Sequence, residues 1–526
     1  MSIQLFNFNK KNLDKSAIVY QDEVISYSQL LTHSITISNL IKTLGNADRI
    51  GICIGNEPLF VASLLGVYEI EGSAVFFKSD SKPAELQQQL TNLQVKYILT
   101  SKTTGTLIEQ LPFSPQLIHQ ITDSVFGDFF IWQLTTVATE EAPPPLINNP
   151  LDKEFIVLFT SGVSGISRIV SRSYANIQQE LLGHFDAFAY TENDKFICPV
   201  PVFHSYGLIH AVMSSLQANA CLYLFPQFIP SQILQVIDSS KATVLIGVPF
   251  IYDLLNQVED TSKFQLRSLR VCQSGTAKIN IDVARSFQKR YGVSINQMYG
   301  SSETGAVSVN LLKDDFNDIL SVGQPLKGTS IVLVDAKGAR VSVGEEGEMK
   351  IVSKAIMKGY LNDEKRNKEV LKDGGYFPGD IGRFDKQGNL YIVGRKSSFI
   401  NVAGRKVDPF EIEQVLQTIK EIQECAVVGV PHAQTENLIV AGIVLNQPLD
   451  ESAILKVCAA RLTNYKIPNT IFFLESLPKT AVGKILKDQL KNQFINFLAN
   501  SSPKACLLYT SPSPRDATLS RMPSSA

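Results

Sequence analysis

One polar loop follows directly on an apolar run and carries residue types that bind anions. Phe155–Leu158 is apolar, and the next ten residues, FTSGVSGISR, extend from Phe159 to Arg168. Glycines let a backbone fold closely around an anion, and successive N–H groups form a concavity that binds one. The small and hydroxyl residues of the loop are Thr160, Ser161, Gly162, Ser164 and Gly165, and Arg168 adds a fixed positive charge. The spacing of a Walker A loop is absent, so a different phosphate loop and a plain Ser/Gly-rich surface loop both remain open.

Two further stretches place polar or small residues at predicted strand ends. VFHSYGLIH puts His204 where a strand passes into a helix, which is where ligands bind in α/β sheets. CQSGTAK carries Ser274, Gly275, Thr276 and Ala277, whose small size suits a planar ring lying on the backbone. A core histidine and a tight turn are the structural alternatives for these two stretches.

Two carboxylates and a lysine complete the set of chemically useful side chains. MYGSSETG follows another predicted strand and supplies Glu303, a hard oxygen ligand suited to Mg²⁺. GYFPGDIG places Asp380 in a turn, where a carboxylate can accept hydrogen bonds from both hydroxyls of a ribose. A capping Ser/Glu pair and a turn aspartate explain these residues equally well. Lys484, in LPKTAVGKILK, is by itself an ordinary solvated lysine at a helix start.

The order and spacing of these blocks are far more specific than any one block. YGSSETG, GYFPGD, GRKSSFINVAGRKVDPFEIE and LPKTAVGKI together resemble the ANL superfamily of adenylate-forming enzymes. That superfamily comprises acyl- and aryl-CoA synthetases, adenylation domains of nonribosomal peptide synthesis, and luciferases. The resemblance extends over roughly residues 20–490, since ISYSQLL and KPAEL also match early blocks.

The resemblance implies an ATP site built from several of these blocks. The Phe159–Arg168 loop would bind the triphosphate of ATP, and Glu303 would hold Mg²⁺. Asp380 and Arg395 would bind the ribose and a nearby phosphate. The adenine would lie against Tyr299 and against the strand end with Ser274, Gly275, Thr276 and Ala277. Gly300 and Ser302 would also belong to the ATP site.

The resemblance also implies residues for the chemistry and for the acceptor. Lys484 would contact the reacting carboxylate, with His204 and Arg168 as the other catalytic candidates. Gly404 would line a tunnel for the thiol of CoA or of a phosphopantetheine arm. A carboxylate that attacks the α-phosphorus of ATP brings two anions together, so positioning and charge neutralisation should supply most of the acceleration.

Elements that position these residues alternate along the chain as strands and helices. RIGICIG, AVFF and VKYIL are predicted strands, and residues 58–71 and 83–93 are predicted helices, which indicates α/β layers with largely parallel sheet. Short strands with Gly, Asp and Asn turns after Leu320 indicate an antiparallel sheet or barrel. With the resemblance, we predict an α/β fold. Its large N-terminal domain has two α/β lobes and a distorted β-barrel, and a small mobile α+β domain follows.

Domain boundaries follow from these changes of pattern. We predict an adenylation domain over residues 1–394 and a mobile domain over residues 395–500, with the hinge near Ser398. Residues 501–526 are rich in Ser, Pro and Arg without periodicity, so we expect a disordered tail. This tail also resembles translated sequencing-adapter read-through, so we expect that it is an artefact and not part of the fold.

Composition excludes several classes of protein. The formal net charge of the 526 residues is -1, which gives no basic field for nucleic acid or an anionic membrane. The seven cysteines form no CxxC pair and the six histidines show no metal-ligand spacing. No apolar run is long enough to span a membrane. We expect a cytoplasmic protein without stable membrane insertion, and the family resemblance implies that it acts on a small carboxylic acid.

Departures from the family pattern predict a slow but active enzyme. Val163 removes a hydroxyl from the loop, Arg168 replaces a lysine, and Ser398 and Asn401 replace charged residues near the hinge. Three functions remain: a carboxylate–CoA ligase, an enzyme that loads a phosphopantetheinyl carrier protein, and a degenerate binding protein without turnover. The position after Phe203 is His204 rather than the aspartate that pairs with a substrate ammonium in amino-acid-activating relatives, so we expect apolar fatty or aromatic acids.

Overall fold

The computed structural model describes most of the chain. The described residues are 4–45, 48–112, 115–134, 149–160, 168–259, 263–311, 319–396, 400–402, 405–432, 435–479 and 485–500. They form two compact units, the first up to Lys396 and the second from Ile400 onward. The division of the chain at Gly394–Arg395 stays a prediction, and the predicted hinge residue Ser398 and the tail over 501–526 lie outside the described residues.

The strands and helices have the following bounds. The strands of the first unit are β1 (Ser16–Tyr20), β2 (Glu23–Ser26), β3 (Arg49–Cys53), β4 (Ser73–Phe76), β5 (Tyr97–Ser101), β6 (Gln116–Ile121), β7 (Phe129–Gln133), β8 (Glu154–Thr160), β9 (Arg168–Ser173), β10 (Lys195–Cys198), β11 (Cys221–Leu224), β12 (Val244–Gly247), β13 (Val271–Ser274), β14 (Asn296–Ser301), β15 (Gly305–Val309), β16 (Gln324–Pro325), β17 (Thr329–Val334), β18 (Glu346–Ser353), β19 (Gly359–Tyr360), β20 (Leu371–Lys372), β21 (Gly375–Tyr376), β22 (Asp380–Phe384) and β23 (Leu390–Arg395). The strands of the second unit are β24 (Ile400–Val402), β25 (Arg405–Val407), β26 (Ile422–His432), β27 (Glu436–Leu445) and β28 (Thr470–Phe473). The α-helices are α1 (Tyr27–Thr43), α2 (Pro58–Glu69), α3 (Pro83–Leu93), α4 (Lys102–Glu109), α5 (Tyr174–Phe188), α6 (Ser214–Ala218), α7 (Pro230–Ser240), α8 (Pro249–Asn256), α9 (Ile281–Tyr291), α10 (Glu364–Val370), α11 (Pro409–Leu416), α12 (Glu451–Arg461) and α13 (Lys487–Asn500). Short 3₁₀ helices span Lys10–Asn12, Pro150–Asp152 and Asn464–Lys466, and a π-helix spans Tyr206–Met213.

Two large sheets form the α/β lobes of the first unit. The nine-stranded sheet has the order β16-β15-β14-β13-β12-β10-β11-β1-β2, and its strands from β14 to β1 are parallel. The eight-stranded sheet has the order β19-β9-β8-β4-β3-β5-β7-β6, with β8, β4, β3 and β5 parallel. The inner strands are buried on both faces, as parallel sheets covered by helices require.

A third sheet of the first unit is antiparallel. It has the order β20-β21-β18-β22-β23, and β17 pairs with β18. Its own buried cluster includes Met349, Ile351 and Leu390. The two α/β lobes and the antiparallel sheet after Leu320 confirm the predicted fold class.

The second unit is a small α+β fold. Its sheet has the order β25-β24-β27-β26, with β28 parallel to β27. Helices α11 and α12 contribute to a cluster that includes Ile412, Leu416 and Ile454, while α13 contributes Leu490 and Phe494 to another. In the described part of the chain, no helix combines the length and apolar character needed to cross a membrane.

Local sequence signals explain where helix α5 begins. Ser173 caps its first turn by accepting the backbone N–H of Asn176, whose side chain in turn accepts the N–H of Ser173. Such reciprocal capping satisfies N–H groups that a helix start otherwise leaves unpaired. The cap fixes α5 directly after β9, and the helix buries the polar side chains Glu180 and His184 as well as apolar ones.

Gly305, the first residue of β15, has two independent reasons to be glycine. Its φ is +66°, a region that side chains disfavour, and a Cβ there would lie 2.3 Å from Oε2 of Glu180. Gly374 provides a matched comparison, because its φ is +70° and nothing lies within 4 Å of its Cβ position. We predict that Gly374→Ala lowers the free energy of unfolding by about 1–2 kcal/mol through the backbone alone. Gly305→Ala should cost about 1–3 kcal/mol more, because the methyl group overpacks the core.

Urea denaturation of the two variants and the wild type measures this difference. Equal losses in the two variants would show that the carboxylate of Glu180 does not occupy the space beside Gly305.

Candidate active site

The carboxyl ends of parallel strands β13 and β14 meet at one edge of the nine-stranded sheet, where α/β folds bind ligands. Ser274 ends β13 with its Oγ buried and without a hydrogen-bond partner among the described residues. A Cβ on Gly275 would lie 2.6 Å from the ring of Tyr206, so only glycine permits this close approach. Thr276 and Ala277 are exposed just beyond. The predicted adenine-binding residues thus run from the buried strand end to exposed positions, and their contact with adenine stays a prediction.

The two carboxylate oxygens of Asp380 have different partners, a hydroxyl donor for one and a cation for the other. The Tyr299 hydroxyl donates to Oδ2, and the Arg395 Nε lies 3.0 Å from Oδ1. Asp380 faces Arg395 across the β22–β23 pair, which brings the guanidinium to the carboxylate. Burial and the charge of Asp380 raise the pKa of Tyr299. Burial opposes the charge of Arg395, but Asp380 together with Tyr299, Tyr376 and Glu303 outweighs burial and raises the pKa of the guanidinium.

The fold therefore brings three predicted site residues, Tyr299, Asp380 and Arg395, into direct contact. One prediction about Asp380 was wrong. Asp380 was predicted in a turn, whereas it is the first residue of strand β22 and follows Gly379, which has a φ of +83°. The strand pairing matters because it sets Asp380 opposite Arg395. Tyr299 and Arg395 fix the orientation of the Asp380 carboxylate, whose oxygens are acceptors of the kind that suits the hydroxyls of a ribose.

Glu303 lies beside a pair of tyrosines. The Tyr360 hydroxyl donates to Oε1 of Glu303 at 2.8 Å and lies 3.4 Å from the hydroxyl of Tyr376. Burial and the charge of Glu303 raise the pKa of Tyr360 to about 12, so Tyr360 stays a donor at neutral pH. The guanidinium of Arg168 lies over the Tyr360 ring, 5.5 Å from its centroid. Glu303 and Arg168 thus contact the same tyrosine, Glu303 at the hydroxyl and Arg168 over the ring.

The anion-binding loop begins and ends on paired strands. Thr160 ends β8 and Arg168 begins β9, and the two residues are partners in the antiparallel pair. The two ends of the loop are therefore paired with each other, and Arg168 places them next to Tyr360. Ser161, Gly162, Ser164 and Gly165 lie outside the described residues, as do Gly404 and Lys484, and their roles stay predictions.

His204 and Ser302 lie where the π-helix approaches the Glu303 turn. The Oγ atoms of Ser205 and Ser302 are 2.9 Å apart. The Nε2 of His204 is shielded from solvent and has no hydrogen-bond partner in the described part of the chain. A Cβ on Gly300 would lie 2.4 Å from the carbonyl oxygen of Gly305, so the turn needs glycine there. Buried polar atoms without partners, at His204 and Ser274, are suited to a polar ligand.

Several residues of this site were missed by sequence reasoning. Tyr360 donates to Glu303, and the hydroxyl of Tyr376 lies next to that of Tyr360. Ser205 contacts Ser302. Tyr376 lies within the quoted block GYFPGDIG, and its position four residues before Asp380 was an available signal. Tyr360 belongs to no quoted block, and only the pairing of β19 with β9 brings it to the site.

The chemistry of the donors fits ATP and a divalent cation. Tyr360 engages only Oε1 of Glu303, and among the described residues Oε2 has no hydrogen-bond partner. One free carboxylate oxygen is what Mg²⁺ takes in a site where phosphates and water supply the other ligands. Fold and site together define an adenylate-forming enzyme, and the strand ends near Ser274, Asp380 and Glu303 stay its predicted nucleotide site.

Comparison with known proteins gives the family. The chain matches the AMP-binding enzyme family over residues 5–361 and the C-terminal domain of AMP-binding enzymes over residues 411–484. It therefore belongs to the AMP-binding enzyme family, as the motifs predicted. A long-chain-fatty-acid–CoA ligase of Bacillus subtilis is 29% identical over 511 residues, with 91% of each chain covered. A 2-succinylbenzoate–CoA ligase of Enterococcus faecalis is 28% identical over 488 residues, covering 92% of this chain and 97% of the relative.

A solved structure shares the fold. ATP-bound MatB from Rhodopseudomonas palustris has a TM-score of 0.80 and 23% identity, covering 94% of this chain and 98% of the other. At this identity the likeness concerns the fold alone.

The buried imidazole of His204 predicts a specific dependence of stability on pH. Burial, with a contribution from Lys78, lowers the pKa of His204 to about 4 from its ordinary 6.5. The folded protein therefore binds fewer protons than the unfolded chain between these values, and the free energy of unfolding falls as pH decreases from 6.5 towards 4. Each pH unit costs about 1.4 kcal/mol for this group. His204→Asn should flatten the acid side of the stability curve by that slope.

Urea unfolding of the wild type and His204→Asn at several pH values between about 6 and about 4.5 tests the effect. Identical slopes in the two proteins would mean that His204 is protonated in the folded state.

Proposed function

We propose that this chain activates an apolar carboxylic acid with ATP and transfers the acyl group to CoA. By family it is an AMP-forming acid–CoA ligase. What we propose in addition is the class of acid, the metal ion and the acceptor thiol. The single observation that carries the proposal is Asp380, oriented by Tyr299 and Arg395 beside the strand ends. That arrangement offers a fixed acceptor for ribose hydroxyls and a cation for a nearby phosphate.

The first half-reaction forms an acyl-adenylate. A carboxylate oxygen attacks the α-phosphorus of ATP, and the bond from that phosphorus to the oxygen of pyrophosphate breaks. Arg395 and Arg168 offset the negative charge that accumulates, and Asp380 holds the ribose in place. A Mg²⁺ ion held by Glu303 would neutralise further phosphate charge when bound. By family resemblance, Lys484 contacts the reacting carboxylate and lowers the repulsion between the two anions.

The second half-reaction transfers the acyl group. The sulfur of a thiol attacks the carbonyl carbon, and the bond from that carbon to the phosphate oxygen of AMP breaks. CoA is the proposed thiol, since the two relatives named above are CoA ligases. By resemblance, Gly404 lines its path. Transfer to a carrier protein has no support from these relatives, and the family membership argues against a binding protein without turnover.

The acid is proposed to be apolar and without an α-ammonium group. His204 occupies the position where amino-acid-activating relatives carry aspartate, and its Nε2 is buried. Burial lowers the pKa of His204 to about 4, so the ring is neutral at physiological pH and provides no counter-ion for an ammonium. A buried ammonium without such a partner costs several kcal/mol, on the order of 3–5. The relatives that act on long-chain fatty acids and on 2-succinylbenzoate support an acid with a large apolar part.

A panel of carboxylic acids tests the proposal. Pyrophosphate release is measured with fatty acids of several lengths, aromatic acids and α-amino acids, followed by detection of the CoA thioester. We expect the highest kcat/KM with a fatty or aromatic acid, and a value for α-amino acids lower by about 10²-fold or more. An α-amino acid as the best substrate would overturn the assignment of His204, and absence of pyrophosphate release with every acid would overturn the function.

A further inference from the structure

A fully buried ion pair lies outside the residues assigned so far. Arg172 of β9 donates from Nη1 to Oε2 of Glu180 on α5 at 2.6 Å, and both side chains have 0% solvent exposure. Two charges withdrawn from water are costly unless their remaining hydrogen-bonding capacity is used. The partners of this pair therefore indicate what the fold gains from it.

Glu180 uses its second oxygen on the segment that follows Glu303. Its Oε1 accepts the backbone N–H of Ala306 at 3.0 Å, and its carboxylate fills the space beside Gly305. Glu303 is only three residues from Ala306. The carboxylate of Glu180 thereby fixes the exit of the turn that carries Glu303.

Arg172 uses its second arm on the segment that precedes Tyr360. Its Nη2 donates to the carbonyl of Ala355 at 2.8 Å. Two residues later, the N–H of Met357 donates to the carbonyl of Glu303 at 2.7 Å, and Tyr360 then donates to the Glu303 side chain. The guanidinium thus fixes the segment that contacts Glu303 at both its backbone and its carboxylate.

The charges around the pair exclude the simplest alternative, a metal site. Sequence spacing gave the histidines no such role, but the fold brings ligand atoms of Glu180, His184 and His210 within 4.8 Å of one another. The guanidinium of Arg172 lies on the same carboxylate, so a divalent cation there would leave a large uncompensated positive charge in the core. Burial lowers the pKa values of both histidines, which are therefore neutral neighbours of the ion pair.

A branch of the same cluster extends to the strand end at Ser274. Nδ1 of His210 lies 3.1 Å from Oε1 of Gln273, the residue before Ser274. The cluster thus contacts the backbone after Glu303 at Ala306, the segment before Tyr360 at Ala355, and the side chain of Gln273.

We propose that Arg172 and Glu180 form a positioning pair for Glu303, and that the pair sets the metal-dependent part of ATP binding. The proposal rests on the proposed function, because it takes Glu303 as the carboxylate that meets Mg·ATP. Neither residue of the pair reaches the surface, so its action is on the geometry of Glu303 and not on the nucleotide directly.

Isothermal titration calorimetry of ATP, in excess Mg²⁺ and in EDTA, tests the proposal without turnover. The measured quantity is the ratio of the Kd in EDTA to the Kd in Mg²⁺. The test variants are the double variant Arg172→Met/Glu180→Gln, which removes both charges together, and Arg172→Lys, which keeps the charge but lacks the planar fork that reaches Glu180 and Ala355. Loss of a group that orients a metal ligand typically lowers metal affinity about 10- to 100-fold, so the ratio should fall by about tenfold or more in both.

Asp194→Asn is the matched control. Asp194 accepts two hydrogen bonds from Arg270, from Nε at 2.9 Å and from Nη2 at 2.6 Å. The two residues directly precede strands β10 and β13, so this ion pair lies at the amino ends of the strands of the same sheet. This variant should lose stability yet keep the wild-type ratio. A wild-type ratio in both test variants, or an equal fall in the control, would overturn the positioning role. A wild type that binds ATP equally well with and without Mg²⁺ would instead overturn the metal role of Glu303 in the proposed function.

Discussion

The ion pair of Arg172 and Glu180 is the interaction on which the architecture around the site depends. Both charges are buried, and each carries a second contact to a backbone group of another segment, at Ala355 and Ala306. A pair without those contacts would be worth less than apolar residues of the same size. The position of the Glu180 carboxylate, together with a φ of +66°, explains the glycine at position 305, where a methyl group would displace the carboxylate. One polar contact in the core thus joins β9, α5, β15 and the segment before β19.

The candidate site must offset the repulsion between anionic reactants. Adenylate formation brings a carboxylate to a triphosphate, so cations must be present and must be held still. Arg395 is fixed against Asp380, and Arg168 lies over Tyr360, which itself donates to Glu303. Each charged group is therefore oriented by a neighbour before any nucleotide arrives. Preorganisation of this kind acts in the transition state without further cost.

Elements that depend on short-range signals were predicted well from the sequence. Helix α3 has the predicted bounds of 83–93, and α2 begins at the predicted Pro58, because proline favours the first turn of a helix. The order of the motifs also gave the family and the chemical class. The resemblance assigned Tyr299, Asp380 and Arg395 to one ATP site but did not predict their direct contact, since nearly a hundred residues separate the first from the last.

Features that depend on long-range pairing were not predicted. Asp380 begins a strand because β22 pairs with β23, and nothing in GYFPGDIG distinguishes that strand from a turn. The helix after His204 is a π-helix, in which a Cβ on Gly207 would lie 2.4 Å from the carbonyl of Pro201. Arg172, an arginine within strand β9, was a signal of a buried ion pair. Its partner Glu180 lies on the next helix, and the backbone groups that the pair binds, at Ala355 and Ala306, lie on two segments distant in sequence.

Isotope exchange between pyrophosphate and ATP tests the central claim, reversible formation of an acyl-adenylate at this site, most directly. With a preferred acid and no thiol, the wild type should incorporate labelled pyrophosphate into ATP, because the adenylate forms and reverses without the acceptor. Lys484→Ala should lower this exchange by about 10²–10³-fold while CoA transfer from supplied acyl-AMP continues. Exchange that requires CoA, or formation of ADP and phosphate instead of AMP and pyrophosphate, would contradict the account.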